Sequence, residues 1–169
     1  YGYLLWVDEA SGLLLKASLL DEQGEVIEQY MFTQVSIGRP IPESELKPQY
    51  PAKGIVWQRA DDETRVPSTG QWTATRLPSG FTLSAHMMRM LPARNQPVEH
   101  LVYSDGLAVV SVFVEKAGDE VKPNALSGLT HMGAAHAFGK VVDGHQVTVV
   151  GEAPALTVDM IGESVRSGP

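Results

Sequence analysis

Three successive runs at the start of the chain have strand-like patterns: the first two are largely apolar, and in the third the residues divide between two faces. The runs cover Tyr1–Val7, Leu13–Leu20 and Glu25–Ile37, and each of the two intervening turns contains a glycine. Alternation with a period of two predicts β-strands, and short turns predict that consecutive strands pair as a meander. Three strands build only part of a core, so we expect residues 1–38 to be the end of a larger sheet.

The next segment, residues 39–70, follows neither the strand period nor the helix period. Its prolines, which lie among charged and polar residues, are typical of an extended interdomain linker. One short apolar segment, Gly54–Trp57, lies among the polar residues. Trp57 has two interpretations, because its ring could dock on a flanking domain or contact a partner protein. The prolines are Pro40, Pro42, Pro48, Pro51 and Pro67.

Alternation returns in residues 71–169, and this segment is long enough to form a complete small domain. Lys116–Thr130 contains glycine, proline and asparagine, which favour a long loop, with a short helix around Ala125 as an alternative. The candidate strands are Trp72–Arg76, Phe81–Leu91, Val98–Tyr103, Leu107–Glu115, Ala134–Val142 and His145–Gly151.

Two Asp-Gly pairs separate candidate strands of this domain. They are Asp105-Gly106 and Asp143-Gly144, and both residues of such a pair accept a positive φ. The pairs therefore predict two β-hairpins.

A helical pattern follows the last strand. Pro154 suits the first turn of a helix, and Val158, Ile161 and Val165 recur on one face through Arg166. The sequence thus predicts a β-rich α+β fold. An antiparallel sheet of about six strands carries a C-terminal helix, and a three-stranded remnant of a larger sheet precedes it.

Several apolar side chains are candidates for contact with a partner. Leu156 and Met160 lie nearly opposite the inward face of the predicted helix, so they either touch a neighbouring loop or line a small groove. Tyr103 and Phe113, on the predicted hairpin strands, and Trp57 in the linker complete the candidate contact set.

The composition and net charge argue against several classes of function. The net charge is −7 and no run of Lys and Arg occurs, which argues against nucleic acid as a partner. The absence of cysteine removes disulfides, thiolate nucleophiles and Cys-ligated zinc. No apolar run is long enough for a membrane helix, which predicts a soluble protein. Tyr1 lies within a predicted strand, so we expect the chain to be a fragment of a longer protein.

Candidate catalytic and metal-binding patterns are weak. His131 and His136 are five residues apart, which places them on one face of neither a strand nor a helix, and the sequence therefore predicts no metal site. Ser44 and Lys47 match a Ser-x-x-Lys pattern, but the pattern lies in the linker and we interpret it as chance. We predict a non-enzymatic binding protein without a cofactor.

Several blocks of the sequence resemble the RseB/MucB family. Early blocks resemble the end of that family's large lipoprotein-carrier-like domain, a half-barrel. Later blocks look like its small C-terminal domain, and the helix Ala155–Arg166 fits as well. The blocks are Tyr3–Lys16, Leu19–Asp21, Glu28–Tyr30, Leu77–Phe81, Tyr103–Leu107 and Asp143–Glu152, the last being the most specific.

The resemblance implies a periplasmic negative regulator of the envelope-stress sigma factor. Such proteins bind the periplasmic region of a membrane anti-sigma factor of the RseA/MucA type, protect it from regulated proteolysis and release it on a lipid or lipopolysaccharide signal. A periplasmic lipid or lipoprotein carrier or sensor is the alternative, although most of the large domain is missing here. An exposed edge of the first sheet would also favour a strand-mediated homodimer.

Overall fold

The computed structural model describes residues 1–47, 66–67, 70–90, 96–117 and 126–168. These residues form a three-stranded sheet, a seven-stranded sheet, a two-stranded ribbon and an α-helix. The β-rich α+β class and the C-terminal helix predicted from the sequence are confirmed. Trp57 and Ala125 lie outside the described residues.

The three-stranded sheet is an antiparallel meander of β1 (Gly2–Val7), β2 (Leu14–Leu20) and β3 (Val26–Met31). In the first turn, the Asp8 carboxylate accepts hydrogen bonds from the backbone N–H of Ser11 at 2.8 Å and from its hydroxyl at 2.6 Å. The third strand ends six residues before the predicted end at residue 37, because no further strand pairs with the described residues that follow Met31.

The seven-stranded sheet is antiparallel, with the order β4-β6-β7-β8-β11-β10-β9. Six of its strands have five or more residues, which agrees with the predicted number of about six, and β4 adds a two-residue pairing at one edge. The strands are β4 (Val66–Pro67), β6 (Thr82–Met90), β7 (Pro97–Ser104), β8 (Val109–Lys116), β9 (Gly128–Met132), β10 (Ala135–Val142) and β11 (His145–Gly151).

Both Asp-Gly pairs form the predicted hairpins. Asp143 and Gly144 connect β10 to β11 with φ values of 48° and 73°, and their flanking residues pair directly. The other hairpin has a longer loop, because the last pair before Asp105 joins Ser104 to Val109. The Asp105 carboxylate stabilises this loop by accepting the N–H groups of Leu107 and Ala108.

Helix α1 (Ala155–Ser164) covers one face of the large sheet and completes the core. Val158 and Ile161 are each 0% exposed, which confirms that this face of the helix is inward, and Val165, directly after the helix, is also 0% exposed. A Cβ atom at position 162 would clash with the ring of Phe138, so Gly162 permits the close approach of the helix to the sheet. Burial of these apolar side chains is the main force that stabilises this unit.

Three local predictions for the C-terminal unit are wrong. The sequence predicts a loop at residues 128–130, whereas they belong to β9, an edge strand paired with β10. The helix ends at Ser164 rather than Arg166, because Val165–Ser167 forms β12 and pairs with β5 (Trp72–Ala74). Consequently β5 belongs to this separate ribbon and not to the large sheet.

Candidate functional site

The two larger sheets meet at the start of β1. The hydroxyl of Tyr1 donates a hydrogen bond to the carbonyl oxygen of Ala134 at 3.3 Å and also lies 3.3 Å from Nδ1 of His136. Tyr3, the next residue on the same face of β1, lies against the outer surface of the large sheet. Tyrosine side chains thus form the contact between the three-stranded sheet and the C-terminal unit.

A cleft with a volume of about 380 Å³ opens beside Tyr3. Small and apolar side chains form most of its surface, while Tyr3, Ser111 and Glu152 provide polar groups. A side chain at Gly151 would clash with β8, so this part of the cleft is lined by backbone alone. The lining residues are Tyr3, Leu107, Ala108, Val109, Ser111, Ala135, Val150, Gly151 and Glu152.

The charge around the cleft is negative. Partial burial raises the pKa of the Tyr3 hydroxyl, and the carboxylates of Asp105, Glu152 and Glu28 raise it further. Tyr3 is therefore a neutral hydrogen-bond donor at physiological pH. A mostly apolar surface with an acidic rim suits an extended segment that carries apolar side chains and a basic one.

The four candidate contact residues that the structure describes do not line this cleft. Tyr103 is 2% exposed, and its hydroxyl accepts the N–H of Ala74 at 2.8 Å, so its ring belongs to the core. Phe113 is half-buried on the outer face of β8. Its ring stacks on His100 with centroids 4.3 Å apart.

The two helix candidates lie at the surface of α1. Leu156 is 70% exposed, whereas Met160 is half-buried. Neither lines the cleft, and Trp57 is outside the described residues. The assignment of all five residues to partner contact stays a prediction.

The Ser-x-x-Lys pattern lies in and directly after a short helical turn. Ser44 lies in a short 3-10 helix, Glu43–Leu46, and the ammonium of Lys47 pairs with the Glu43 carboxylate at 3.1 Å.

Among the described residues, no group of three or more His, Cys, Asp or Glu side chains could hold a metal ion. No helix in the described part of the chain is long and apolar enough to cross a membrane.

Sequence reasoning missed the residues of the cleft. Tyr3, Ser111 and Glu152 come from β1, β8 and the segment after β11, and no spacing along the chain relates them. The one available signal is the polar serine at position 111 within the apolar run of residues 109–114. An isolated serine of this kind does not identify a neighbour that is more than a hundred residues away.

Comparison with known proteins assigns the chain to a family. The MucB/RseB C-terminal domain matches residues 66–166, and the MucB/RseB N-terminal domain matches residues 1–50. The sigma factor AlgU regulatory protein MucB of Pseudomonas aeruginosa is 36% identical over 98% of this chain. The sigma-E factor regulatory protein RseB of Escherichia coli K12 is 31% identical over 99% of this chain.

The fold supports the same assignment. A crystal structure of MucB in complex with MucA(peri) matches with a TM-score of 0.73 and 33% identity, over 100% of this chain and 58% of that chain. This chain spans about half the length of the curated relatives, since it covers 52% of MucB and 51% of RseB. These relatives are named as regulatory proteins. The chain therefore belongs to the MucB/RseB family.

Proposed function

We propose that this chain acts in a non-enzymatic, periplasmic negative regulator of the envelope-stress sigma factor pathway. In this role it binds the periplasmic region of a membrane anti-sigma factor and protects that region from regulated proteolysis. The observation that carries the proposal is the match to MucB in complex with MucA(peri), which extends over the whole chain. The regulatory names of its relatives support it as well.

The cleft beside Tyr3 is the surface that fits such a partner best. An extended segment can place apolar side chains over Val109, Ala135 and Val150, while a Lys or Arg of the segment approaches Glu152. The Tyr3 hydroxyl can donate a hydrogen bond to a carbonyl of the segment. Leu156 offers a second apolar contact on the exposed side of α1.

A charge reversal tests this proposal. We expect the 169-residue chain to bind MucA(peri) in titration calorimetry, and the variant Glu152→Lys to bind about five- to tenfold more weakly because the new ammonium repels a basic side chain. Glu163→Lys is the matched control, because Glu163 is also exposed but does not line the cleft. Wild-type chain that gives no heat and captures no MucA(peri) would contradict the proposed function.

Protection from proteolysis needs its own measurement. We expect the first protease of the pathway to cleave MucA(peri) more slowly when the wild-type chain is present, and less slowly with Glu152→Lys. Addition of lipopolysaccharide should restore cleavage if lipid signals release the partner. Unchanged cleavage at saturating wild-type chain would exclude protection by this part of the protein.

A lipid or lipoprotein carrier or sensor is the second candidate function. It is favoured by the apolar side chains that the three-stranded sheet exposes, including Leu4 at 49%, Leu5 at 56% and Trp6 at 43%. Acyl chains that copurify with the protein in native mass spectrometry would support it. Light scattering on the same sample tests the proposed homodimer, which would use an edge of this sheet.

A further inference from the structure

We propose that His131 and His136 form a two-histidine binding site for a divalent transition-metal ion such as Zn²⁺. The two residues are direct partners on the antiparallel strands β9 and β10, so both side chains project from the same face of the sheet. Their ring centroids are 5.8 Å apart. The pair lies on the face opposite the cleft-lining Ala135, and neither histidine has a role in the proposed function.

The spacing of the rings fits a shared ion. Imidazole nitrogens bind Zn²⁺ at about 2.1 Å, and two such ligands at a tetrahedral ion place their ring centroids roughly 5 Å apart. The observed separation of 5.8 Å needs only a small rotation of a side chain. His131 is exposed at the sheet edge, so its ring can make that rotation without disturbing the core.

The surroundings of His136 prepare it to act as a ligand. Its Nδ1 lies 2.9 Å from the carbonyl oxygen of Ala153, and a carbonyl only accepts hydrogen bonds, so Nδ1 carries the proton. This leaves the lone pair on Nε2 available to a metal. Metal-binding histidines commonly donate their second ring N–H to a backbone carbonyl in this way, because the bond fixes the tautomer and the ring orientation.

The proposed site has an open coordination sphere. Two protein nitrogens leave the remaining positions of a tetrahedral ion to water or to another ligand. Neutral imidazole suits Zn²⁺, Cu²⁺ and Ni²⁺ better than Mg²⁺ or Ca²⁺, which prefer oxygen ligands.

Calorimetry with ZnCl₂ and the full 169-residue chain tests the site. We expect one ion per chain, with affinity at least about tenfold lower in His131→Gln and in His136→Gln. The double variant should bind at least as weakly as either single variant, since it lacks both ligands of the site. His145→Gln is the control, because that histidine lies at the β10–β11 hairpin and is paired with Val142 instead. Binding by the double variant at wild-type strength would overturn the proposal.

Two further measurements separate binding from damage to the fold. His131→Gln changes an exposed side chain, so its circular dichroism spectrum should equal that of the wild type. Zn²⁺ should raise the melting temperature of the wild type and of His145→Gln, but not that of His131→Gln, because a variant with one histidine of the pair cannot chelate the ion. MgCl₂ at the same concentration should leave all melting temperatures unchanged, and an equal rise with MgCl₂ would contradict a histidine site.

Discussion

The N-terminal and C-terminal sheets are both rich in apolar residues but differ in how much of each apolar side chain is buried. Leu4 and Leu5 of β1 are 49% and 56% exposed, whereas Val147 and Val149 of β11 are both 0% exposed. The difference lies in the second layer, because α1 covers the large sheet while, among the described residues, no helix covers the small one. Alternation therefore predicts a strand, but a covering element decides whether the strand is buried.

The largest expected difference between the two sheets is in the stability lost when an apolar side chain is shortened. Ile161→Ala should lower the free energy of unfolding by about 2–5 kcal/mol, because it removes a fully buried side chain of α1 and leaves a cavity. Leu5→Ala should change it by only about 0.5 kcal/mol, since more than half of that side chain is already in water. Urea titrations of both variants measure the difference, and equal losses would refute it.

A smaller effect is expected from one buried hydroxyl. Tyr103→Phe removes the acceptor for the buried N–H of Ala74 and should lower the free energy of unfolding by about 1–3 kcal/mol. Tyr30→Phe is the matched control in the three-stranded sheet, because Tyr30 is 57% exposed and water replaces any lost contact. Thermal unfolding of the two variants compares them, and a loss in the control as large as in Tyr103→Phe would count against this interpretation.

The smallest expected effect is a dependence on pH. Hydrogen bonds from the N–H groups of Ala108 and Leu107 lower the pKa of the Asp105 carboxyl. A lowered pKa in the folded state means that the stabilising effect is fully present above the unfolded pKa of about 3.9 and is lost as pH falls through the folded value.

The wild type should therefore lose stability as the pH falls from about 5 to about 2, and Asp105→Asn should lose less over the same range. Outside this range the two proteins should depend on pH in the same way. The effect is small because the carboxylate is close to solvent. Melting temperatures measured across this range for wild type and variant provide the test. Parallel profiles would show that Asp105 does not contribute to acid sensitivity.

Local sequence signals predicted the elements whose pairing is also local. Asp143-Gly144 identified its hairpin because a tight turn needs residues that accept positive φ. Val165 was misassigned because its position four residues after Ile161 continues the helical face, although its backbone has already turned into β12. Strand β9 was missed because its pairing with β10, rather than its own composition, determines its conformation.

Long-range contacts explain what the sequence could not predict about the candidate sites. The cleft joins Tyr3 to Ser111 and Val150, and its existence depends on how the three-stranded sheet lies against the large one. His131 and His136 were rejected as a metal pair on the basis of spacing within a single element. They lie on two different strands, where the register across the hairpin determines their distance.

The ribbon of β5 and β12 determines how the C-terminal unit responds to mechanical force. Trp72 pairs with Ser167 and Ala74 with Val165, so the start of β5 and the end of β12 lie side by side. Tension applied between these two points would separate the ribbon one residue pair at a time, starting with Trp72 and Ser167. Sequential separation resists force less than simultaneous shearing, so the ribbon would open before the core of β7, β8 and β11 carries any load.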